Sequence, residues 1–255
     1  YIISCAAAAL PPLCFASMPL PTVHTMYWDN IPSVILQKQR EVFAALDVPL
    51  QQESAHRIPH GTWMNGVVER MDSDDIVIFC DIDAFPLKRS AYDMAVAHAE
   101  RGAIFGLSQF SNHKKTMHTY AGPMFMAFRK RVWEQLGRPD LKSSSAYDAA
   151  EGMSALAREQ GIPLVLHKPT STLISKFALG NEGVFGIGTF YGDNDFFHLF
   201  ESREPAYEQL LVAVADDAIA QRPLQFAQYL EAAIALQQGT PLVKKKRRWW
   251  RRLLG

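Results

Sequence analysis

Two aspartates, Asp81 and Asp83, are the residues whose type and spacing most clearly indicate chemistry in this chain. They stand where the apolar pattern of a buried strand, Ile76 to Cys80, stops. Alternate side chains of an extended chain share a face, so both carboxylates are predicted to point one way and Ile82 the other. Two carboxylates at a strand's carboxyl end can hold a hard divalent cation such as Mg²⁺ or Mn²⁺. Aspartate is also common at the start of turns, and a purely structural turn is the alternative.

The sequence around this pair alternates between short apolar runs and segments of helical spacing. We predict strands over 23–27, 50–52, 76–80, 103–107 and 124–128, and helices over 32–46, 62–71, 92–101, 130–136, 146–160, 204–220 and 224–236. This alternation favours an α/β fold in a single domain, with a mostly parallel central sheet flanked by helices. Ligands of such open sheets bind beyond the carboxyl ends of the strands, where the aspartate pair is placed.

Composition sets the limits of that domain. With 255 residues, 48% of them hydrophobic, the chain can build one substantial core. Residues 1–21 are apolar but broken by prolines, and their longest run falls well short of the roughly 20 residues needed to span a bilayer. We therefore predict an unstructured segment over 1–21, the domain over 22–239, and a tail over 240–255. Three cysteines and the lack of a signal-peptide pattern favour a reducing, cytoplasmic location.

The tail carries a concentrated positive charge. Lys244 to Arg252 contains seven basic residues and no acid, which leaves the rest of the chain with 19 basic and 26 acidic residues. Trp249 and Trp250 interrupt the cations, and tryptophan favours the membrane interface. We expect Lys244 to Leu254 to attach the protein peripherally to the anionic cytoplasmic membrane face. Nucleic acid, an unlikely partner here, could bind the same cations electrostatically, and a solvated tail is the remaining alternative.

Three further features accompany the Asp-x-Asp strand. Tyr27 and Asp29 follow the first predicted strand, Gly122 and Pro123 lie in an apolar segment that leads to Trp133–Gly137, and His198 lies in the segment 195–203. Together these features resemble the nucleotide-sugar-dependent glycosyltransferases of the GT-A fold, over about Thr22 to Arg203. The resemblance is to the superfamily, and no subfamily follows from it.

The resemblance implies a metal-dependent transfer of a sugar from a nucleotide diphosphate, with a UDP-sugar as the expected donor and a glycan or lipid-linked acceptor. It implies that Asp81, Asp83 and His198 bind Mn²⁺ or Mg²⁺, with Asp83 favoured over Asp81 for direct coordination. Tyr27 and Asp29 would meet the base and ribose, and Gly122 and Pro123 would line the sugar side. The alternative for His198 is a core histidine satisfied by a backbone carbonyl.

Inverting transfer needs a general base, and Asp148 and Glu151 are the candidates at the start of the predicted helix 146–160. Ser145 and Asp148 also fit a capping box, in which Asp148 would satisfy backbone donors at the helix start. Retaining enzymes of the fold need no such base, so the stereochemistry stays open. The glycine-rich segment 180–192 is interpreted as a mobile or tightly turned stretch, which could cover a bound donor.

Two other functions compete with glycosyl transfer. Haloacid-dehalogenase-type phosphatases also have a strand that ends in Asp-x-Asp, but position 85 here is Phe and a whole strand and helix region precedes the motif. The second alternative is a glycosyltransferase-like domain that binds a nucleotide or glycan without catalysis. Donor sugar, acceptor and linkage cannot be read from the sequence.

Overall fold

The computed structural model describes residues 19–111 and 118–239, without the side chains of 205–206, 232–233 and 235–239. The predicted tail 240–255 and nearly all of the predicted N-terminal segment 1–21 lie outside these residues. In the described part of the chain, no helix is both long and apolar enough to cross a membrane.

Helices and strands alternate along most of the described chain. The strands are β1 Val23–Tyr27, β2 Leu50–Ser54, β3 Ile76–Cys80, β4 Ala84–Pro86, β5 Ile104–Phe110, β6 Thr119–Arg129, β7 Leu164–His167, β8 Pro169–Ala178, β9 Val184–Tyr191 and β10 Phe196–Leu199. The helices are α1 Ser33–Ala45, α2 His60–Arg70, α3 Arg89–Glu100, α4 Lys130–Gln135, α5 Glu151–Gln160, α6 Pro205–Ile219 and α7 Phe226–Gly239.

A six-stranded sheet with the order β2-β1-β3-β6-β5-β7 forms the centre of the fold. β1 runs parallel to β2 and β3, and β5 runs parallel to β7. Only β6 runs against its neighbours within this sheet, pairing antiparallel with β3 and β5. The predicted α/β fold class with a mostly parallel central sheet flanked by helices is confirmed.

The sheet separates two hydrophobic cores because its strands are apolar on both faces. In β3, Ile76, Ile78 and Cys80 pack towards α1 and α3, whereas Val77 and Phe79 pack towards α2, α4 and α5. All five residues of β3 are buried. A strand held on both faces gives a fixed end point for the turn that follows it.

A second, four-stranded sheet has the order β4-β10-β9-β8 and packs into the same core as α1 and α3. The sequence did not predict this sheet. The glycine-rich segment is part of it, so the interpretation as a mobile cover was wrong: Thr189, Phe190 and Tyr191 are fully buried in β9. A Cβ at Gly186 would come within 2.3 Å of Thr172 Cγ2 on β8. Gly186 therefore permits close strand packing. Gly180, Gly183 and Gly192 take positive φ on either side of β9, which agrees with the tightly turned alternative.

Candidate active site

A cavity of about 1060 Å³ opens at the carboxyl ends of β1 and β3 and is closed on one side by the segment after β10. This is the edge at which the sequence placed a ligand site. Its wall mixes apolar, acidic and basic side chains. The lining residues are Met26, Tyr27, Trp28, Asn30, Ile31, Pro59, His60, Asp81, Ile82, Asp83, Gln109, Met124, His198, Leu199, Phe200, Glu201, Ser202, Arg203 and Glu204.

Asp81 and Asp83 reach this cavity from a turn and not from an extended strand. β3 ends at Cys80, and the Ala84 N–H donates to the Asp81 carbonyl at 3.1 Å, which closes a four-residue turn. The Asp81 N–H donates to the Met124 carbonyl of β6 at 3.2 Å. The two carboxylates do converge as predicted, but the turn brings them together rather than the alternation of a strand.

His198 joins the two aspartates because β10 pairs with β4. His198 lies opposite Ala84 in this pairing, and the Leu199 N–H donates to the Asp83 carbonyl at 2.9 Å. The imidazole is only 5% exposed, and its Nε2 lies 3.5 Å from Asp83 Oδ1. Its Nδ1 has no hydrogen-bond partner among the described residues. Within residues 19–111 and 118–239, the backbone carbonyl that would satisfy a purely structural histidine is therefore not found beside Nδ1.

The surroundings of the two carboxylates differ. Burial alone would raise the pKa of Asp83, but its hydrogen bond and electrostatic interaction with His198, together with Ser202, hold it below its ordinary value. Ser202 Oγ donates to Asp83 Oδ2 at 2.5 Å. Burial raises the pKa of Asp81, against the opposing effect of His60, whose Nε2 lies 3.6 Å from Asp81 Oδ1. Asp83 is thus the carboxylate that stays ionised to lower pH.

The donor set of this cluster fits a divalent transition metal. One ligand atom each from Asp81, Asp83 and His198 lie within 4.8 Å of one another. Carboxylates suit Mg²⁺ and Mn²⁺ alike, whereas an imidazole nitrogen favours a transition metal. Among the described residues, the buried Nδ1 of His198 has no hydrogen-bond partner, so the imidazole meets a polar group only at Nε2, which faces Asp83.

Of the two residues predicted to contact the base and ribose, only one lines the cavity. Tyr27 lines the cavity, whereas Asp29 lies outside its lining, with a 65% exposed side chain whose Oδ2 is 2.6 Å from His56 Nδ1. Trp28, which the sequence reasoning passed over, also lines the cavity. The Arg203 guanidinium lies 5.6 Å from the centre of the Trp28 ring. An aromatic residue directly after the first strand was the available signal.

Gly122 and Pro123 lie behind the cavity wall instead of lining it. A Cβ at Gly122 would come within 2.5 Å of Met124 Cε and 2.9 Å of Gln109 Cβ. Both of those side chains do line the cavity, and the Gln109 amide lies 3.7 Å from the Met124 sulfur. The missing side chain at Gly122 therefore leaves room for this part of the wall.

Asp148 and Glu151 lie outside the cavity lining and accept local hydrogen bonds. Asp148 accepts from the Ala149 N–H at 2.8 Å and from the Tyr120 hydroxyl at 3.2 Å. Glu151, 1% exposed, accepts from the Asp148 N–H at 2.7 Å and from the Ser111 hydroxyl at 2.8 Å.

The helix predicted to contain both residues, α5, starts only at Glu151, five residues later than predicted, because Ala150 takes a left-handed conformation with φ 63°. Asp148 therefore lies before the helix. The capping box predicted for Ser145 and Asp148 was therefore wrong. The carboxylate that accepts a backbone N–H three residues earlier belongs to Glu151.

Gln39 is another residue that the sequence reasoning missed. It lies on the buried face of α1 with Ile35 and Val42, is fully buried, and donates to the carbonyls of Asp81 and Ala84 at 2.8 and 2.9 Å. The signal was present in the sequence, since a glutamine four residues after Ile35 and three before Val42 interrupts an otherwise apolar helix face.

No protein-family model matches the chain, and no curated protein matches it. Among solved structures, a mannosyltransferase from Pyrobaculum calidifontis in complex with GDP-Man and Mn²⁺ aligns with 13% identity and a TM-score of 0.45, covering 88% of this chain and 71% of that one. A197 from STIV aligns with 10% identity and a TM-score of 0.41, covering 71% and 95%. The 4-diphosphocytidyl-2C-methyl-D-erythritol synthase from Anaerococcus prevotii aligns with 9% identity and a TM-score of 0.37, covering 58% and 87%.

Proposed function

We propose that the protein is a metal-dependent glycosyltransferase that moves a sugar from a nucleotide diphosphate, with a UDP-sugar as the expected donor. The observation that carries this proposal is the convergence of Asp81, Asp83 and His198 at the wall of a cavity of about 1060 Å³. Ligand cavities of small molecules typically measure about 300–1,000 Å³, so a nucleotide sugar is of a suitable size. The proposed acceptor is a glycan or a lipid-linked sugar.

Each group of cavity residues has a proposed task. Asp81, Asp83 and His198 would hold Mn²⁺ or Mg²⁺, which as a Lewis acid would stabilise the negative charge of a departing diphosphate. Tyr27 and Trp28 offer aromatic surface to a base, and Asp29 at the rim is proposed to contact the ribose. Arg203 adds positive charge to the same side of the cavity. Gly122 and Pro123 are proposed to act on the sugar through Met124.

The general-base role of Asp148 and Glu151 stays a prediction. Their hydrogen bonds to backbone N–H groups and hydroxyls favour a structural task. Because retaining transfer needs no base at this position, the proposed reaction does not depend on either residue.

Two features weigh against the phosphatase alternative. β1, α1, β2 and α2 all precede the aspartate turn and belong to the same fold, and Phe85 is fully buried in β4. Neither feature suits a phosphatase whose motif opens the chain. A non-catalytic nucleotide-binding domain differs from the proposed enzyme only in turnover, so calorimetry with UDP and Mn²⁺ alone cannot separate the two and hydrolysis must be measured.

The deciding experiment is a panel of UDP-, GDP-, CDP- and ADP-sugars incubated with the protein in Mn²⁺, Mg²⁺ or chelator. We expect slow hydrolysis of at least one UDP-sugar that requires the metal, with Mn²⁺ more effective than Mg²⁺ because His198 supplies a nitrogen ligand. Binding of UDP with Mn²⁺ but no hydrolysis or transfer would favour the non-catalytic domain. Release of phosphate from p-nitrophenyl phosphate without nucleotide-sugar binding would favour the phosphatase.

We further propose that the tail Lys244–Leu254 attaches the protein to an anionic membrane at the cytoplasmic face. Leu230 and Ile234 of α7, the helix that precedes the tail in sequence, are exposed and offer apolar surface of their own. Each basic residue near such a surface contributes about 1 kcal/mol. We expect the protein to pellet with phosphatidylserine vesicles at low salt, and to stay in solution when residues 240–255 are removed. Equal pelleting of both forms, or of neither, would reject this attachment.

A further inference from the structure

The turn that presents Asp81 and Asp83 is held from three directions. β6 accepts a hydrogen bond from the Asp81 N–H through the Met124 carbonyl, and β10 donates to the Asp83 carbonyl through the Leu199 N–H. The third contact comes from α1, where Gln39 Nε2 donates to the Asp81 carbonyl at 2.8 Å and to the Ala84 carbonyl at 2.9 Å. These two carbonyls belong to the first and last residues of the turn, so one amide fixes both of its ends.

The direction of the Gln39 amide is set by its own partner. Gln39 Oε1 accepts from Gln52 Nε2 at 2.9 Å, which leaves Nε2 of Gln39 to face the turn. Gln52 in turn donates to the Leu36 carbonyl at 3.0 Å and accepts from Arg40 at 2.7 Å. A chain of side-chain amides thus runs from β2 through α1 to the aspartate turn.

Burial gives these contacts weight. Gln39 is 0% exposed, and a buried carbonyl that loses its donor is destabilised because water cannot replace it. The Cys80 thiol lies 3.2 Å from the Ala84 carbonyl, but a thiol is a weak donor. Without the Gln39 amide, the Asp81 carbonyl would keep the Ala84 N–H of the turn, whereas the Ala84 carbonyl would be left to the Cys80 thiol.

We propose that Gln39 is a positioning residue, whose buried amide holds the Asp81–Ala84 turn in the conformation that brings both carboxylates to His198. The consequence for metal binding rests on the proposed function, whereas the consequence for the turn does not. Groups that orient metal ligands from outside the ligand set typically contribute about 10–100-fold to metal affinity.

The test uses Gln39→Met, which keeps the side-chain volume and removes both donors, and Gln52→Met, which removes only the group that orients the amide. Tyr229→Phe is the matched control, because it removes a buried hydrogen bond to Asp217 in the α6–α7 region, away from the turn. Two quantities are measured on the full chain: hydrogen exchange of the Ala84 and Leu199 amides, and the affinity for Mn²⁺.

We expect Gln39→Met to speed exchange at Ala84 and Leu199 and to weaken Mn²⁺ binding by about tenfold. Gln52→Met should change both quantities in the same direction but less, and it carries the test if Gln39→Met does not fold. Tyr229→Phe should lower the melting temperature and change neither.

Wild-type exchange at Ala84 and Leu199 in folded Gln39→Met, or in Gln52→Met where that variant carries the test, would overturn the proposal. If the variant exchanges faster but the wild-type protein binds no Mn²⁺, Gln39 does stabilise the turn and the proposed metal function is rejected. Faster exchange with unchanged Mn²⁺ affinity would show that Gln39 stabilises the turn without positioning the ligands, and would also overturn the proposal.

Discussion

Two pairs of acidic side chains, Asp81 with Asp83 and Asp148 with Glu151, have opposite surroundings. The first pair lines the cavity and lies beside the imidazoles of His198 and His60. The second pair accepts backbone N–H groups of its own segment and the hydroxyls of neighbouring side chains. The second pair is therefore engaged by donors of its own segment, whereas the first pair has imidazole nitrogens 3.5 and 3.6 Å away at the cavity wall, with the Ser202 hydroxyl on Asp83 as a further donor.

The largest expected effect is that of Asp83→Ala on catalysis. If Asp83 binds the proposed metal, its loss removes several kcal/mol of charge stabilisation, so we expect metal-dependent turnover to fall by about 1,000-fold or more. Thermal stability should change little by comparison. The matched variant of the second pair is Asp148→Asn, which should stay within a few-fold of the wild type. Equal losses of turnover in the two variants would erase the distinction between the pairs.

Glu151→Ala should have the next largest effect, and on stability instead of turnover. It removes the acceptor of the Asp148 N–H and of the Ser111 hydroxyl at a position that is 1% exposed. We expect the free energy of unfolding to fall by about 3 kcal/mol, measured by urea denaturation. Glu159→Ala, on the exposed end of the same helix, is the control and should change it by less than about 0.5 kcal/mol. A stable Glu151→Ala protein without activity would instead place Glu151 in the reaction.

A fifth carboxylate, Asp195, extends the comparison to pH. It accepts from His167 at 2.7 Å and from Lys88 at 2.9 Å. Burial alone would raise the pKa of Asp195, but these two partners hold it below its ordinary value. A lowered pKa stabilises the fold above the unfolded value near 4, and this contribution disappears as pH falls through the folded value.

We therefore expect Asp195→Asn to lower the free energy of unfolding by about 2 kcal/mol at pH 7, with the difference from wild type shrinking below about pH 4. Urea denaturation across a pH series measures it. Asp193→Asn, at a side chain that is 98% exposed, should show no such trend. A difference for Asp195→Asn that stays constant down to pH 2.5 would refute the assigned cause.

The smallest expected effect is that of Tyr120→Phe, which removes the hydroxyl that donates to Asp148 at 3.2 Å. A single hydrogen bond to a charged group at this distance should contribute about 1 kcal/mol to stability. Turnover should be unaffected if Asp148 supports the backbone. A strong loss of turnover at unchanged stability would indicate that Asp148 takes part in the reaction and is not only structural.

The sequence predicted the central sheet better than the second sheet, and the reason is the range of the interactions. β1 and β3 have the predicted bounds because each is a continuous apolar run between polar turns. In β9, Gly186 allows the strand to approach β8 closely. No local sequence pattern shows which strand lies opposite β9. The family resemblance placed His198 beside the two aspartates, and one ligand atom from each of the three residues lies within 4.8 Å of the others.

Other parts of the site depend on single partners that spacing does not reveal. Gln39 interrupts an apolar helix face, and the task of its amide becomes clear only from two carbonyls 42 and 45 residues further along the chain. The start of α5 was displaced because Ala150 takes a left-handed backbone conformation that its residue type does not signal. Ser202 reaches Asp83 across 119 residues of chain.

The pairing of β10 with β4 also sets the order in which the candidate site can form. Asp81 and Asp83 belong to the first third of the chain, but His198 and Ser202 reach them only after β10 has joined β4. Closing a loop of this length costs entropy before its contacts form, so the second sheet is expected to complete late in folding. A chain that ends before Phe196 keeps both aspartates but lacks His198, the proposed third ligand. Cation affinity would then report on the completion of folding, since partly folded chains would not sequester the ion.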